Sequence, residues 1–220
     1  MRASRLAPSV AALGTTALVG LSLAGCSSDT HAAAAQPAAT TASATATPTP
    51  SGLAAKLLTP ADLPAGWSTE ASATNPAMST PCPVLNPAVW NDPLPGRVEA
   101  DLSVGLTGPF LVEQIAAGDA AQLQKAWSAF TAAIPQCTTF THAGSSGSST
   151  FTVTAADFPK YGLDSYGFGL TLKVTTGVSA SGSVVVVRTK DAVVLVYLVG
   201  VTAVPKDEVE QIVTKAVAKS

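Results

Sequence analysis

The stretch VVVVRTKDAVVLVYLVGV, residues 184–201, decides the fold. Two apolar runs, residues 184–187 and 192–201, flank four polar residues at 188–191. Both runs are too short to cross a membrane as helices, and their high valine content favours strands. A strand that is apolar at every position is buried on both of its faces. The stretch therefore predicts two central strands of a sheet, joined by a short polar turn.

Alternating apolar residues predict further strands on the N-terminal side of this stretch. Residues 98–106 alternate strictly, with Val98, Ala100 and Leu102 on one face and charged or polar residues on the other. The same period continues in residues 151–155 and 166–174, and a second strand is expected at residues 110–116. The glycine- and serine-rich residues 144–149 predict a flexible surface loop.

Two amphipathic segments predict helices that cover the sheet. Residues 119–134 have a capping box formed by Asp119 and Gln122, and Pro135 ends the helix. The buried stripe predicted for this helix is Leu123, Ala126, Trp127, Phe130 and Ile134. Pro205 begins a closing helix whose buried stripe is Val209, Ile212, Val213 and Ala216.

The order of these elements predicts the fold class. A short helical turn at Thr59-Pro60 is followed by two strands, a helix, about four strands and the final helix. Consecutive strands with short turns favour antiparallel pairing. We therefore expect an α+β fold, an antiparallel β-sheet flanked by helices, in a single domain that spans residues 53–220.

The N-terminus has the composition of an export signal. Arg2 and Arg5 precede an apolar run at residues 6–23, and small residues follow. A membrane-spanning helix is the alternative, but Pro8 and two glycines interrupt the run and no basic cluster follows it. Leu23-Ala24-Gly25-Cys26 resembles the lipobox of bacterial lipoproteins. The resemblance implies that residues 1–25 are a signal peptide and that Cys26 receives a diacylglyceryl group, with palmitate-type acyl chains.

This interpretation places the chain at the extracytoplasmic face of the cell membrane, anchored by lipid on Cys26. Residues 26–52 consist almost entirely of Ala, Thr, Ser and Pro. Such a segment buries too little apolar surface to offset the entropy of ordering, so we expect a disordered stalk. Its composition also suits O-glycosylation.

The chain has three cysteines, which is an odd number for an exported protein. If Cys26 carries lipid, Cys82 and Cys137 remain and can pair in an oxidising compartment. We therefore expect a Cys82–Cys137 disulfide, with two buried reduced thiols as the alternative.

Composition excludes several functions. Without Arg2 and Arg5, the chain has ten basic and 14 acidic residues, and its sequence contains no basic cluster. Nucleic acid is therefore not an expected partner. The two histidines, His31 and His142, have no ligand partners at zinc-site spacing. The sequence has no motif for a nucleophile, a phosphate or a dinucleotide. We expect a non-enzyme without metal or cofactor; Glu99 and Asp101 on one strand face are interpreted as a polar edge instead of an acid–base pair.

Trp67 and Trp90 lie among prolines and turn residues, outside any periodic pattern. These two rings either cap the core or line a cleft, and in the second case they are the candidate ligand-binding residues.

Several short motifs resemble one known family. Residues 57–58 (LL), 62–67 (DLPAGW) and 126–130 (AWSAF), the last leading to Cys137, are similar to the extracellular sensor-domain family of mycobacterial receptor serine/threonine kinases and to free-standing actinobacterial lipoproteins. The resemblance implies an antiparallel sheet flanked by helices, with a groove for an envelope ligand. The kinase sensors usually have two disulfides, whereas this chain can form one.

We therefore expect a membrane-anchored, non-catalytic ligand-binding or sensor module, whose partner is an envelope ligand or protein. The alternative is a protein-interaction or envelope-assembly factor that has no small-molecule pocket.

Overall fold

The computed structural model describes residues 50–70, 82, 84–85, 94–144 and 147–220. The predicted signal peptide, Cys26 and nearly all of the predicted stalk lie outside these residues. The α-helices are α1 (Pro50–Ala54), α2 (Ala120–Ala133) and α3 (Lys206–Lys219). Short 3-10 turns occupy Pro60–Asp62 and Ile134–Gln136. The strands are β1 (Ser68–Thr69), β2 (Gly96–Ser103), β3 (Phe110–Ala117), β4 (Thr139–Gly144), β5 (Gly147–Ala155), β6 (Asp164–Val174), β7 (Ser179–Arg188) and β8 (Ala192–Gly200).

All eight strands form one sheet in the order β1-β2-β3-β8-β7-β6-β5-β4. Every neighbouring pair is antiparallel. The sheet has helices on both faces, which confirms the predicted α+β class.

The two valine-rich strands lie at the centre of this sheet, as the opening stretch predicts. Each of the four valines at 184–187 is at most 1% exposed. Val185 and Val187 pack in the core that contains α3, whereas Val184 and Val186 pack in the core that contains α2. Full burial of a valine side chain stabilises the folded state by at least about 1.5 kcal/mol. A strand that is buried on both faces gains this stabilisation at every position. Because successive side chains of a strand point to opposite faces of the sheet, the apolar stretch contributes to both cores.

One face of the sheet, called here the α3 face, is covered by the C-terminal helix and by the N-terminal segment. The predicted stripe of α3 is buried at all four positions, Val209, Ile212, Val213 and Ala216. Residues 50–67, called here the strap, cross the same face and place Leu53 and Leu58 in its core. Helix α1 begins at Pro50, so helical structure starts before residue 53, the predicted start of the domain.

The other face, called here the α2 face, is covered by α2. Asp119 caps this helix and forms the predicted capping box with Gln122, with both hydrogen bonds at 2.8 Å. Four of the five stripe residues are buried, namely Leu123, Ala126, Trp127 and Phe130. Ile134 packs against the same core although it is only partly buried.

The prediction of a flexible surface loop at residues 144–149 is wrong. Strand β4 ends at Gly144 and β5 begins at Gly147, so these residues belong mostly to a β-hairpin. The sequence does not predict strand β4, because its residues TFTHAG contain a single large apolar side chain. Phe140 stacks on Phe151 of β5 with ring centroids 5.2 Å apart, and this cross-strand pair holds the strand in register.

The first long strand is shorter than its alternating pattern predicts. Strand β2 ends at Ser103, and Leu106 is 99% exposed instead of facing the core. Gly105 has a φ of 64°, so the backbone turns away from the sheet before Leu106. The apolar period continues in the sequence after the strand has ended.

Candidate functional site

Of the two tryptophans predicted to line a cleft, the structure describes only Trp67. Trp67 is 7% exposed and lies in the core of the α3 face, together with Leu53 and Leu58 of the strap. It has the position of a core residue and not that of a cleft wall. Trp90 lies outside the described residues.

The disulfide between Cys82 and Cys137 is present and confirms the predicted pairing. The two Cα atoms are 4.4 Å apart, and Cys82 is completely buried. One 3-10 turn separates Cys137 from the C-terminal end of α2. The bond therefore ties the chain that precedes β2 to the C-terminal end of α2.

The strap is fixed to the end of α3 by polar contacts. Lys219 donates a hydrogen bond to the carbonyl oxygen of Leu57 at 2.6 Å and pairs with the Asp62 carboxylate at 2.5 Å. Lys56 donates to the backbone oxygen of Ser220 at 3.1 Å. The two ends of the described chain are thus joined at one place on the α3 face.

Asp62 connects these contacts within the strap. It accepts hydrogen bonds from the backbone N–H of Thr59 at 2.9 Å and from the Thr59 hydroxyl at 2.8 Å. The hydrogen bond from Lys219, followed by those from Thr59, lowers the pKa of Asp62 to about 2. The carboxylate is therefore ionised at neutral and mildly acidic pH.

A buried carboxyl group lies beneath the strap. Glu113 is in the middle of β3 and is 0% exposed, between the equally buried Leu111 and Ile115 on the same face. Its Oε2 atom accepts a 2.5 Å hydrogen bond from the backbone N–H of Leu58. The pKa of Glu113 is raised to about 7, mainly by desolvation on burial and also by the charge of Asp62, although the Leu58 hydrogen bond and Lys219 lower it. Glu113 is thus a proton-binding group inside an apolar layer.

Glu113 was not predicted as a site residue, although the sequence contains a signal for it. Residues 110–116 were interpreted as a strand, and Leu111 and Ile115 share one face in a period of two. Glu113 falls on this apolar face, where an ionisable residue is unusual.

The described residues form one small groove between the strap and α3. Its volume is 180 Å³, and it is lined by Asp62, Pro64, Glu208, Gln211, Ile212 and Lys215. This is below the roughly 300–1,000 Å³ of typical small-molecule sites. A wider depression of 600 Å³ runs along the exposed side of α3, but all of its described lining belongs to that single helix. It is an open helix surface.

Four exposed apolar side chains lie at one end of the sheet, where β2, β6 and β8 end. Leu106 is 99% exposed, Val201 63%, Val178 54% and Phe110 38%. The register brings their strands together, because Phe110 is opposite Val199 of β8 and Gly200 is opposite Ser181 of β7. These four residues are called here the apolar end.

Trp127, the third tryptophan, joins α2 to the sheet and is 4% exposed. Its indole N–H donates to the Asp164 carboxylate at 3.1 Å. The Arg188 guanidinium lies 5.6 Å from the centre of the ring and donates to Gln124 at 2.6 Å. The predicted core role of Trp127 is confirmed, and the ring also has a cation on its face.

The remaining polar candidates form no catalytic arrangement among the described residues. Glu99 accepts hydrogen bonds from Arg97 at 2.7 Å and from Gln114 at 2.5 Å, so it is engaged on the sheet surface. Within the described part of the chain, no three His, Cys, Asp or Glu side chains gather where they could hold a metal ion. None of the helices that the structure describes is both long and apolar enough to cross a bilayer.

Comparison with known proteins identifies a shared fold. No protein-family profile matches the sequence, and no curated protein matches it. Among solved structures, the chain is similar to the extracellular domain of PknH from Mycobacterium tuberculosis, with a TM-score of 0.51 and 15% sequence identity. The likeness covers 70% of this chain and 80% of that domain. The resemblance to kinase sensor domains inferred from short motifs is therefore confirmed at the level of the fold.

Proposed function

We propose that this chain is a non-catalytic sensor or ligand-binding module that is displayed on the extracytoplasmic face of the cell membrane. The observation that carries the proposal is the fold, which resembles a kinase's extracellular domain over 70% of this chain. Fold alone does not determine function, so the proposal also depends on the N-terminal sequence. A disulfide in the folded domain supports an oxidising compartment.

The proposed anchor is a lipid on Cys26. Two acyl chains hold a protein on a bilayer, whereas one chain gives only reversible binding. Residues 27–49 would then separate the folded domain from the membrane surface as a flexible tether.

Fractionation of cells of the native host tests the anchor. Cys26→Ala should release the protein from the membrane fraction or leave it as a larger, unprocessed precursor. Ser27→Ala, the neighbouring control, should remain processed and membrane-bound. Normal cleavage together with unchanged membrane association of Cys26→Ala would contradict the anchor.

Native mass spectrometry tests ligand binding. Protein purified in mild detergent from its own host envelope should retain an additional mass that is lost on denaturation. The same chain produced in the cytosol of an unrelated host is the control and should lack this mass. Identical spectra for the two preparations would contradict a retained small ligand.

A protein-interaction role is the second candidate, and the apolar end favours it. Leu106 is almost completely exposed and lies with three other exposed apolar side chains at this end of the sheet, and clustered exposed apolar surface is typical of an interaction site. A photo-crosslinking residue at position 106 should then capture an envelope protein in living cells. Leu163 is 58% exposed at the opposite end of the sheet, so the same substitution there is the matched control. Equal crosslinking at both positions would contradict a specific interface.

A further inference from the structure

The Glu113 carboxyl group has only one of its oxygens satisfied. Oε2 accepts the hydrogen bond from Leu58, whereas Oε1 has no hydrogen-bond partner among the described residues. An ionised carboxylate has about four lone-pair positions to satisfy, so a single donor leaves most of its charge without compensation. The group is therefore far better suited to its neutral form.

The elements around Glu113 offer little to stabilise a negative charge. The residue opposite on β2 is Ala100 and the residue opposite on β8 is Val196, neither of which is charged. The charged groups that act on Glu113 are Lys219 from α3 and Asp62 from the strap, and they act in opposite directions. These two groups also form a 2.5 Å ion pair with each other, so the cation is already neutralised.

Two layers enclose Glu113, and they differ in strength. Strand β3 is paired along its full length of eight residues with β2 on one side and with β8 on the other. The strap is held by a few buried side chains, by single hydrogen bonds from Leu58, Lys56 and Lys219, and by the ion pair between Lys219 and Asp62. If the carboxylate has to reach water, opening the strap therefore costs less than opening the sheet.

We propose that Glu113 is a proton-dependent switch of the strap: the neutral carboxyl group keeps residues 53–63 docked on the sheet, and its ionisation favours a state in which this segment lifts and water reaches the carboxylate. The strap is the part of the domain that follows the proposed stalk. The switch would therefore couple external pH to the connection between the stalk and the sheet. The switch itself does not depend on the anchor or on a ligand. Burial raises the pKa of Glu113 from 4.5 to about 7 while the strap is docked, so the strap should loosen as pH rises between these two values.

Hydrogen exchange followed by mass spectrometry on the full-length protein tests the switch. Protection of the amides of residues 53–63, corrected for the intrinsic pH dependence of exchange, should fall between about pH 4.5, the ordinary pKa of glutamate, and about pH 7, the pKa of the docked state. Within this window the loss is at most about tenfold per pH unit, the limit for release of one proton, and above about pH 7 protection should be constant. Amides of β8 should keep their protection throughout, because the sheet stays closed.

Glu113→Gln is the decisive variant, since glutamine keeps an oxygen that can accept from Leu58 but cannot ionise. Its strap protection should be independent of pH. Asp191→Asn, in the exposed turn between β7 and β8, is the matched control and should behave as the wild type. Strap protection of the wild type that stays flat from pH 4.5 to pH 8.5, or a parallel loss in the strap and in β8, would overturn the proposal.

A measurement on the wild type alone keeps the proposal testable if Glu113→Gln does not fold. The carboxyl carbon of Glu113 can be followed by NMR over the same pH range. Its midpoint should lie near pH 7, where the loss of strap protection levels off. A midpoint near 4.5, the ordinary value for glutamate, would overturn the switch even if the strap opens at high pH.

Discussion

The backbone N–H of Leu58 donates a 2.5 Å hydrogen bond to the side chain of Glu113, 55 positions further along the chain. This contact joins the strap to the middle of the sheet, and the acceptor is fully buried. A buried donor or acceptor that loses its partner costs about 1–3 kcal/mol. The position of the strap and the protonation of one carboxyl group are therefore linked.

The first prediction concerns global stability against pH. In the unfolded chain Glu113 releases its proton near pH 4.5, whereas in the folded chain burial raises its pKa to about 7. Between these values the folded state binds more protons, so the free energy of unfolding should fall as pH rises, by at most about 3 kcal/mol. Urea unfolding at pH 5 and pH 8 measures this loss.

Glu113→Gln should remove that dependence between pH 5 and pH 8. Asp62 does not interfere in this window, because its lowered pKa affects stability only below about pH 4. A wild-type stability that is equal at both pH values would contradict an ionisable role for Glu113.

The second prediction concerns the ion pair that fixes the strap to α3. The hydrogen bond from Lys219 is the largest cause of the low pKa of Asp62, so Lys219→Met should raise that pKa from about 2 towards 3.8. The pKa of Glu113 should rise as well, because Lys219 also favours its charged form. NMR titration of both carboxyl carbons measures the two shifts.

Lys206→Met is the control for the ion pair, since Lys206 lies at the other end of α3 and is 3.6 Å from Glu210. This variant should leave both titrations unchanged. A pKa for Asp62 that does not move in Lys219→Met would show that Thr59 alone holds the carboxylate.

The third prediction concerns the disulfide. The bond closes a loop between residues 55 positions apart, and the chain-entropy model gives about 4 kcal/mol for a loop of that length. The double variant Cys82→Ser and Cys137→Ser should lose stability of this order in urea unfolding. Cys26→Ser should unfold as the wild type, because Cys26 takes no part in the bond. Recovery of both thiols as freely alkylatable in the exported protein would contradict the pairing.

The elements with a strong and regular apolar pattern could be predicted from the sequence. The valine run of β7, most of the apolar run of β8, four of the five stripe residues of α2 and the whole stripe of α3 are buried as their periods indicate. In these elements local propensity and burial favour the same structure, so one sequence suffices to find them. The fold class follows from them.

Strand β4 and the site around Glu113 could not be predicted, for different reasons. Strand β4 has one large apolar side chain, and its pairing with β5 depends on a partner that the local pattern does not reveal. Glu113 has an apolar environment that is completed only when Leu58 and α3 pack over β3. The period of two in the sequence indicates only that Glu113 lies on an apolar strand face, whereas the contacts with Leu58 and α3 that bury it leave no local trace.

The last prediction concerns the tryptophans. Trp67 lacks a helical period and was therefore a candidate for a cleft, yet it is nearly as buried as Trp127, at 7% against 4% exposed. Truncation of a buried tryptophan to alanine costs about 3–5 kcal/mol, so Trp67→Ala and Trp127→Ala should both destabilise strongly. Trp127→Phe keeps most of the ring but loses the hydrogen bond to Asp164, and it should cost about 1–2 kcal/mol. Urea unfolding compares the three variants, and a wild-type stability for Trp67→Ala would show that its ring is not part of the core.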